Sequence, residues 1–152
     1  MREGNKKKLI NSALEAKRFA YTPITKVGVG AAVLTTDGNI YQGCNIQSVI
    51  SGLGCCAERC AIHNAVAHGA YNFEAIAVAF PSKKATRPCG ACLQIIHEFS
   101  EVSEKNIKII VLNENGKIME ETTIKKLLPK GYGPKESKKD IRRYKKNKDV
   151  KK

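Results

Sequence analysis

Two short cysteine segments constrain this chain more than any other feature. Cys56-Ala57-Glu58 and Pro88-Cys89-Gly90-Ala91-Cys92 each follow a loop and each open a predicted helix. At such positions unpaired backbone N–H groups and the positive helix end favour thiolates over thiols. Thiolates from Cys56, Cys89 and Cys92 fill three corners of a zinc tetrahedron and leave the fourth for water, the arrangement of catalytic rather than structural zinc. A fold that serves this chain has to bring the two helix starts together.

The apolar pattern around those segments alternates in type. Leu9, Ile10, Ala13, Leu14, Ala16 and Ala20 fall at helical spacing, which predicts a helix over residues 4–20 that stops before Pro23. Val29 to Thr36 reads as a strand, Asp37-Gly38 as a hairpin turn and Asn39 to Cys44 as the return strand. A loop with Gly52 and Gly54 precedes a helix from Cys56 to His68, closed by Gly69. Phe73 to Phe80 is nearly continuous in apolar residues, the mark of a buried strand. After Pro81 and Pro88 comes a helix from Cys89 to about Phe99. Ile107 to Leu112 is a second buried strand, Asn113 to Gly116 a turn, Lys117 to Glu121 a shorter strand, and Thr123 to Leu128 a last short helix stopped at Pro129. This order predicts an α/β fold, a single mixed β-sheet of about five strands sandwiched by helices.

Charge divides the chain unevenly. The 152 residues carry 27 Lys plus Arg against 14 Asp plus Glu, a net of +13, while 42% hydrophobic residues exclude wholesale disorder. Residues 135–152 hold ten basic and three acidic residues and only Ile141, Tyr144 and Val150 as sizeable apolar ones. The expected organisation is therefore one domain over residues 1–134 and a basic tail over 135–152, mobile or marginally helical. The tail serves solubility, or loose electrostatic contact with RNA. The N-terminal basic residues lack a following apolar stretch of signal-peptide length, and no N-x-Ser/Thr sequon occurs. The expectation is a cytoplasmic protein whose six cysteines stay reduced. The longest apolar run, Ala75 to Phe80, is strand-sized, so no membrane span is expected.

Glu58 turns a metal site into a site for chemistry. Two residues after a ligand at a helix start, its carboxylate can lie near the open position without coordinating, take a proton from water there and return it to a leaving amine. Three thiolates over-neutralise a divalent zinc, and Arg59 stands where it can offset the excess. The competing arrangement is a four-cysteine zinc knot with Cys55 or Cys60 as fourth ligand, which leaves Glu58 and the Gly52–Gly54 loop without a purpose. Cys44, His63 and His68 read as packing or surface residues, and His97 as the same or as a residue at the pocket mouth. Gly28-Val29-Gly30 and Gly52-Leu53-Gly54 lack the third glycine and later acidic residue of a dinucleotide fingerprint.

The paired Cys-x-Glu and Pro-Cys-x-x-Cys segments match the signature of zinc-dependent nucleobase deaminases. Ala20-Tyr21-Thr22-Pro23, Val29 to Val33, Asp37-Gly38, Gly43-Cys44-Asn45, Cys56 to Arg59, Pro88 to Gln94 and Leu127-Leu128-Pro129 stand in the order and spacing of small cytidine deaminases. Over residues 8–134 the chain resembles that family. The resemblance implies hydrolytic deamination of cytidine or deoxycytidine in pyrimidine salvage, one zinc per subunit, and a homotetramer in which neighbouring subunits help close each site. It implies Cys56, Cys89 and Cys92 as zinc ligands and Glu58 as the proton shuttle. Ala57 would touch the pyrimidine through its backbone, Arg59 and Gln94 would support the thiolates, Asn45 would hold the ribose 3'-hydroxyl, and Tyr132 would reach a neighbouring subunit's site.

Departures from the family pattern fall on the substrate side. Val27 stands where members commonly have an aromatic residue, Ser51 where they have tyrosine, and Asn45-Ile46-Gln47-Ser48 where they have Asn-x-Glu-Asn. Gln47 would still accept a hydrogen bond from a ribose hydroxyl, without charge, and Val27 offers less face to stack on a base. Leu128-Pro129 followed by Gly131-Tyr132 is similar to blasticidin S deaminases, so a different aminopyrimidine is the alternative substrate; a non-catalytic zinc or RNA-binding module is the alternative of another class.

Overall fold

The hairpin expected from Asp37-Gly38 forms the antiparallel pair β1 (Gly30–Thr35) and β2 (Ile40–Cys44), with Leu34 opposite Ile40 and Gly30 opposite Cys44. This is seen in a computed structural model that describes residues 1–145; residues 146–152, which include Val150 of the basic tail, lie outside the described residues. The remaining elements follow as α1 (Glu3–Lys17), α2 (Ala57–Ala67), β3 (Phe73–Ala79), α3 (Gly90–Val102), β4 (Lys108–Leu112), β5 (Ile118–Thr123), α4 (Ile124–Leu127) and α5 (Arg142–Lys145). The sheet is mixed, in the order β2-β1-β3-β4-β5. β3 and β4 run parallel with α3 as their crossover, and the other neighbours are antiparallel.

Strand alternation feeds two cores, one on each face of the sheet. Ala31, Val33, Ile76, Val78, Ile109 and Val111 point to the face covered by α2 and α3, where they meet Ala61, Ile62, Ala65 and Ile96. Ala32, Leu34, Ala75, Ala77, Ile110 and Leu112 point to the opposite face, where Leu9 and Ala13 of α1 cover them. Each fully buried Leu or Ile contributes roughly 1.5–3 kcal/mol by leaving water. The alanines of β3 leave room for α1 to lie close.

Close packing also fixes the start of α2. A Cβ placed on Gly43 would stand 2.1 Å from the Ala61 nitrogen and 2.7 Å from the Ala57 carbonyl oxygen, so only glycine lets α2 rest on β2 at this height. Gly30, Cys44, Ala79 and Leu112 are aligned across the sheet at one edge. The connections that leave this edge carry residues 45–56 and 80–89, the approaches to both cysteine segments.

Element bounds match the sequence expectation within about three residues, α1 ending short of the expected bound and α3 running past it. α1 ends at Lys17 rather than continuing toward Pro23. Tyr21 is drawn instead into a bridge with Ile46, donating its N–H to Asn45 O at 3.1 Å and accepting from Gln47 N at 2.8 Å. A helix reaching residue 20 would forbid that pairing. In the basic segment, the Tyr144 ring meets Tyr71 edge-on at 5.1 Å and Lys145 pairs with Glu104 at 2.6 Å. No helix among the described residues is long and apolar enough to cross a membrane.

Candidate active site

The two helix starts meet. Cys56 is the residue before α2 and Cys89 the residue before α3, both in extended backbone that turns each chain end into its helix. Cys56 Sγ lies 3.9 Å from Cys89 Sγ, which lies 3.6 Å from Cys92 Sγ. Four sulfurs at about 2.3 Å around a zinc ion stand about 3.8 Å apart, so these separations fit a zinc-thiolate corner. Cys92 is buried and Cys89 exposed, which gives the trio a closed side and an open one.

The three thiols titrate differently. Burial works to raise the Cys89 thiol, but hydrogen bonds from the backbone of Cys92 and Ala91 and from the Cys92 and Cys56 side chains outweigh it and hold Cys89 below its ordinary value. Burial, then the neighbouring negative groups, push Cys92 and Cys56 up. Two thiols that resist ionisation on their own become thiolates when a cation shares their site. The donor set therefore suits a soft divalent ion, and among the described residues only these three cysteines form a thiol group with metal-ligand spacing.

Neither Cys55 nor Cys60 joins them. Cys55 spends its backbone on a two-way bridge with Ile46, at 2.8 and 2.9 Å. Burial and the adjacent Cys55 and Cys44 sulfurs push the Cys60 thiol up to about 12. The four-cysteine knot is not formed.

Glu58, in the first turn of α2, is 3% exposed. Burial raises its pKa above the ordinary carboxylate value, against hydrogen bonding from its own backbone and from Cys92 and against the charge of Arg59. A carboxylate next to the thiol trio that holds its proton more readily than usual is suited to accepting and returning protons. Arg59 donates through Nη2 to Gly54 O at 3.4 Å and hydrogen-bonds Cys56. Burial works against its charge, but the Cys55, Cys56 and Cys92 sulfurs overcome this and raise its pKa.

A cavity of about 340 Å³ opens onto Cys56 and is lined by Ile24, Thr25, Asn45, Gln47 and Ser51 among others. Its amides are already at work. Asn45 Oδ1 accepts the Val29 N–H at 2.8 Å while Nδ2 donates to Val27 O at 2.9 Å. Gln47 Oε1 accepts the N–H groups of Ile24 and Thr25, both at 3.1 Å, and Nε2 donates to Thr25 Oγ1 at 2.6 Å. Both lone pairs of Gln47 are thus occupied, and what remains for a ligand is one Nε2 hydrogen rather than the acceptor the sequence suggests. Val27 is about half exposed and lies outside the cavity lining, where Ile24 and Ile50 supply apolar surface instead. Ala57 is fully buried at the first position of α2. Gln94 donates to Tyr132 O at 2.5 Å and to Glu98 Oε1 at 3.2 Å, so its amide hydrogens go to the C-terminal segment and to its own helix and not to sulfur.

Residues 3–109 match the family model described as the cytidine and deoxycytidylate deaminase zinc-binding region. The chain belongs to this deaminase family. A cytidine deaminase of Sporosarcina psychrophila is 43% identical over 125 residues, covering 82% of this chain and 89% of that protein. A blasticidin-S deaminase of Bacillus cereus is 32% identical over 132 residues, covering 82% and 89%. The crystal structure of cytidine deaminase from Burkholderia pseudomallei superposes with a TM-score of 0.76 at 34% identity, covering 87% of this chain and all of that one. The mixed five-stranded sheet is thus the deaminase fold, and zinc is the cofactor of the family region that contains all three gathered cysteines.

Proposed function

We propose that this chain is a zinc-dependent hydrolase that converts cytidine and deoxycytidine to uridine and deoxyuridine, releasing ammonia, as a step of pyrimidine salvage. The observation that carries this reading is the buried Glu58 carboxylate held against Cys92 where three thiols converge. Cys56, Cys89 and Cys92 would hold the zinc. When bound, zinc supplies a Lewis acid that makes water nucleophilic near neutral pH.

Glu58 moves the protons. It takes one from the attacking water and places it on N3 of the cytosine ring. The second water proton passes through the same carboxylate to the exocyclic amine, the C4–N bond breaks, and ammonia leaves while the water oxygen stays on C4 as the carbonyl. The raised pKa of Glu58 suits a group that must both accept and release. Arg59 steadies Cys56 and holds the Gly54 carbonyl, fixing the loop in front of α2. Ala57, fully buried at the start of α2, is the residue whose backbone the family resemblance sets against the pyrimidine. Asn45 and Gln47 hold the 24–29 segment as the cavity wall and keep one donor each for the sugar.

The second reading, deamination of another aminopyrimidine such as blasticidin S or a modified cytosine, is favoured by one feature: Gln47 has no free acceptor for a ribose hydroxyl. Ultraviolet absorbance with cytidine, deoxycytidine and blasticidin S separates the two. Fastest turnover of the nucleosides supports the first reading, preference for blasticidin S the second, and no turnover of any of them leaves the chain without this activity.

The working form is a cytoplasmic homotetramer. Phe19, Val49 and Leu53, exposed at 70%, 89% and 66%, offer the apolar surface that such an assembly would cover. Light scattering that reports a stable monomer would remove it.

A further inference from the structure

A second group of metal-ligating side chains lies on α3, beyond the thiols. His97 and Glu101 are one helical turn apart on the same face, with His97 Nε2 and Glu101 Oε1 separated by 3.8 Å. That separation is too long for a hydrogen bond. His97 Nε2 is buried and has no hydrogen-bond partner among the described residues, and Glu101 is 7% exposed. A buried nitrogen left unpaired is costly, so the position calls for a partner.

The segment after α4 is shaped to press on these two side chains. A Cβ on Gly131 would stand 2.7 Å from the His97 ring. One on Gly133 would stand 2.9 Å from Glu101 Oε2 and 3.0 Å from His97 Nε2. Neither glycine has a positive φ, so the requirement at both is space. The segment then brings Glu136 alongside, and the ligand atoms of His97, Glu101 and Glu136 all lie within 4.8 Å of one another.

Both carboxylates are oriented from outside. Glu101 Oε2 accepts the Lys135 N–H at 2.9 Å and Glu136 Oε2 accepts the Gly133 N–H at 3.0 Å, leaving each residue its other oxygen. Carboxylates held in this way by hydrogen bonds are typical of metal ligands. One imidazole and two carboxylates balance a divalent charge and suit a borderline transition ion such as zinc. Bonds of about 2.1 Å to such an ion require the three atoms to close by about an ångström, which the exposed Glu136 side chain can supply. A cavity of about 520 Å³, lined by His97, Ser100, Glu101 and Lys135 among others, gives access and room for water ligands.

We propose that His97, Glu101 and Glu136 form a second divalent-metal site, distinct from the thiol site, that fastens the C-terminal segment to α3. Gln94 already ties Tyr132 to the same helix. The ion adds a clasp at the next turn, so its binding stabilises the placement of Tyr132 and of the described basic segment behind it.

The test uses the full-length chain without an affinity tag, reduced and loaded with one zinc, then dialysed against rising zinc concentrations with metal content and thermal melting followed. The wild type should take up a second ion per chain and its melting temperature should rise as it does so. Glu136→Gln and His97→Gln should each weaken the second uptake at least about tenfold while keeping the first ion. Should His97→Gln fail to fold, Glu136→Gln, at an exposed position, decides alone. A wild type that stops at one ion, or a Glu136→Gln variant that binds the second as tightly as wild type, overturns the proposal. Neither result depends on which substrate the thiol site serves.

Discussion

Gln47 Nε2 donates to the Thr25 hydroxyl at 2.6 Å, tying one wall of the cavity to a segment 22 residues earlier in the chain. With the two N–H groups that Oε1 accepts, the Gln47 side chain closes a three-bond clamp on residues 24 and 25. A residue used in this way affects substrate binding by holding the wall in place. Thr25→Val and Gln47→Ala should therefore both raise KM for cytidine, with kcat nearly unchanged. A lost hydrogen bond of about 1 kcal/mol corresponds to roughly fivefold for Thr25→Val, and Gln47→Ala should cost more. If Thr25→Val leaves KM at the wild-type value while Gln47→Ala raises it, Gln47 acts by touching the sugar.

Gly43→Ala should separate the packing of α2 from the chemistry at its start. The added methyl meets backbone atoms of Ala57 and Ala61, which cannot rotate away. Overpacking of this kind costs about 1–3 kcal/mol and moves the helix that begins after Cys56. Thermal melting should show a lower midpoint, and zinc content per chain should fall with it. A variant with wild-type stability and full zinc would show that α2 has more freedom than this contact allows.

Removal of the metal should act through folding as well as through activity. Cys89→Ser takes away the exposed thiol of the trio, the one held below its ordinary pKa. Zinc content should drop well below one per chain, cytidine turnover should disappear, and the melting temperature should fall toward that of chelator-treated wild type. Full zinc occupancy in Cys89→Ser would place the ion elsewhere.

The hairpin supplies a prediction about pH. Asp37 lies below its ordinary carboxylate value chiefly because the Thr35 hydroxyl donates to it, with Asn39 adding further bonds. A depressed folded pKa contributes stability that is present above the unfolded value of about 3.9 and is lost as pH falls through the folded value. Wild type should therefore melt above Asp37→Ala at pH 7, and the gap should narrow below about pH 3.9. A gap that widens in acid would mean that the carboxylate does not carry the turn.

Much of this molecule is legible in its sequence because the signals are local. The strand run from Val29 to Thr36, the Asp37-Gly38 turn and the cysteines at two helix starts each depend on residues next to one another. α1 stops at Lys17, a few residues short of the expected residue 20, where Tyr21 pairs with Ile46, a partner far along the chain. Spacing and resemblance aim the amides of Asn45, Gln47 and Gln94 at a ligand or at sulfur, whereas in the fold they hold distant backbone. An amide's partner is set by tertiary approach, which spacing does not encode. The grouping of His97 and Glu101 with Glu136 is hidden for the same reason, although Gly131 and Gly133 mark the close approach that brings them together.

The most direct test of the central claim is Glu58→Gln with zinc occupancy measured on the same sample. The substitution keeps the size of the side chain and removes its ability to accept and return a proton. Zinc should remain at the wild-type level, and the rate of ammonia release from cytidine should fall by about 10²–10⁴-fold or more. Ammonia release at the wild-type rate from zinc-loaded Glu58→Gln would contradict the role of Glu58 as the proton shuttle.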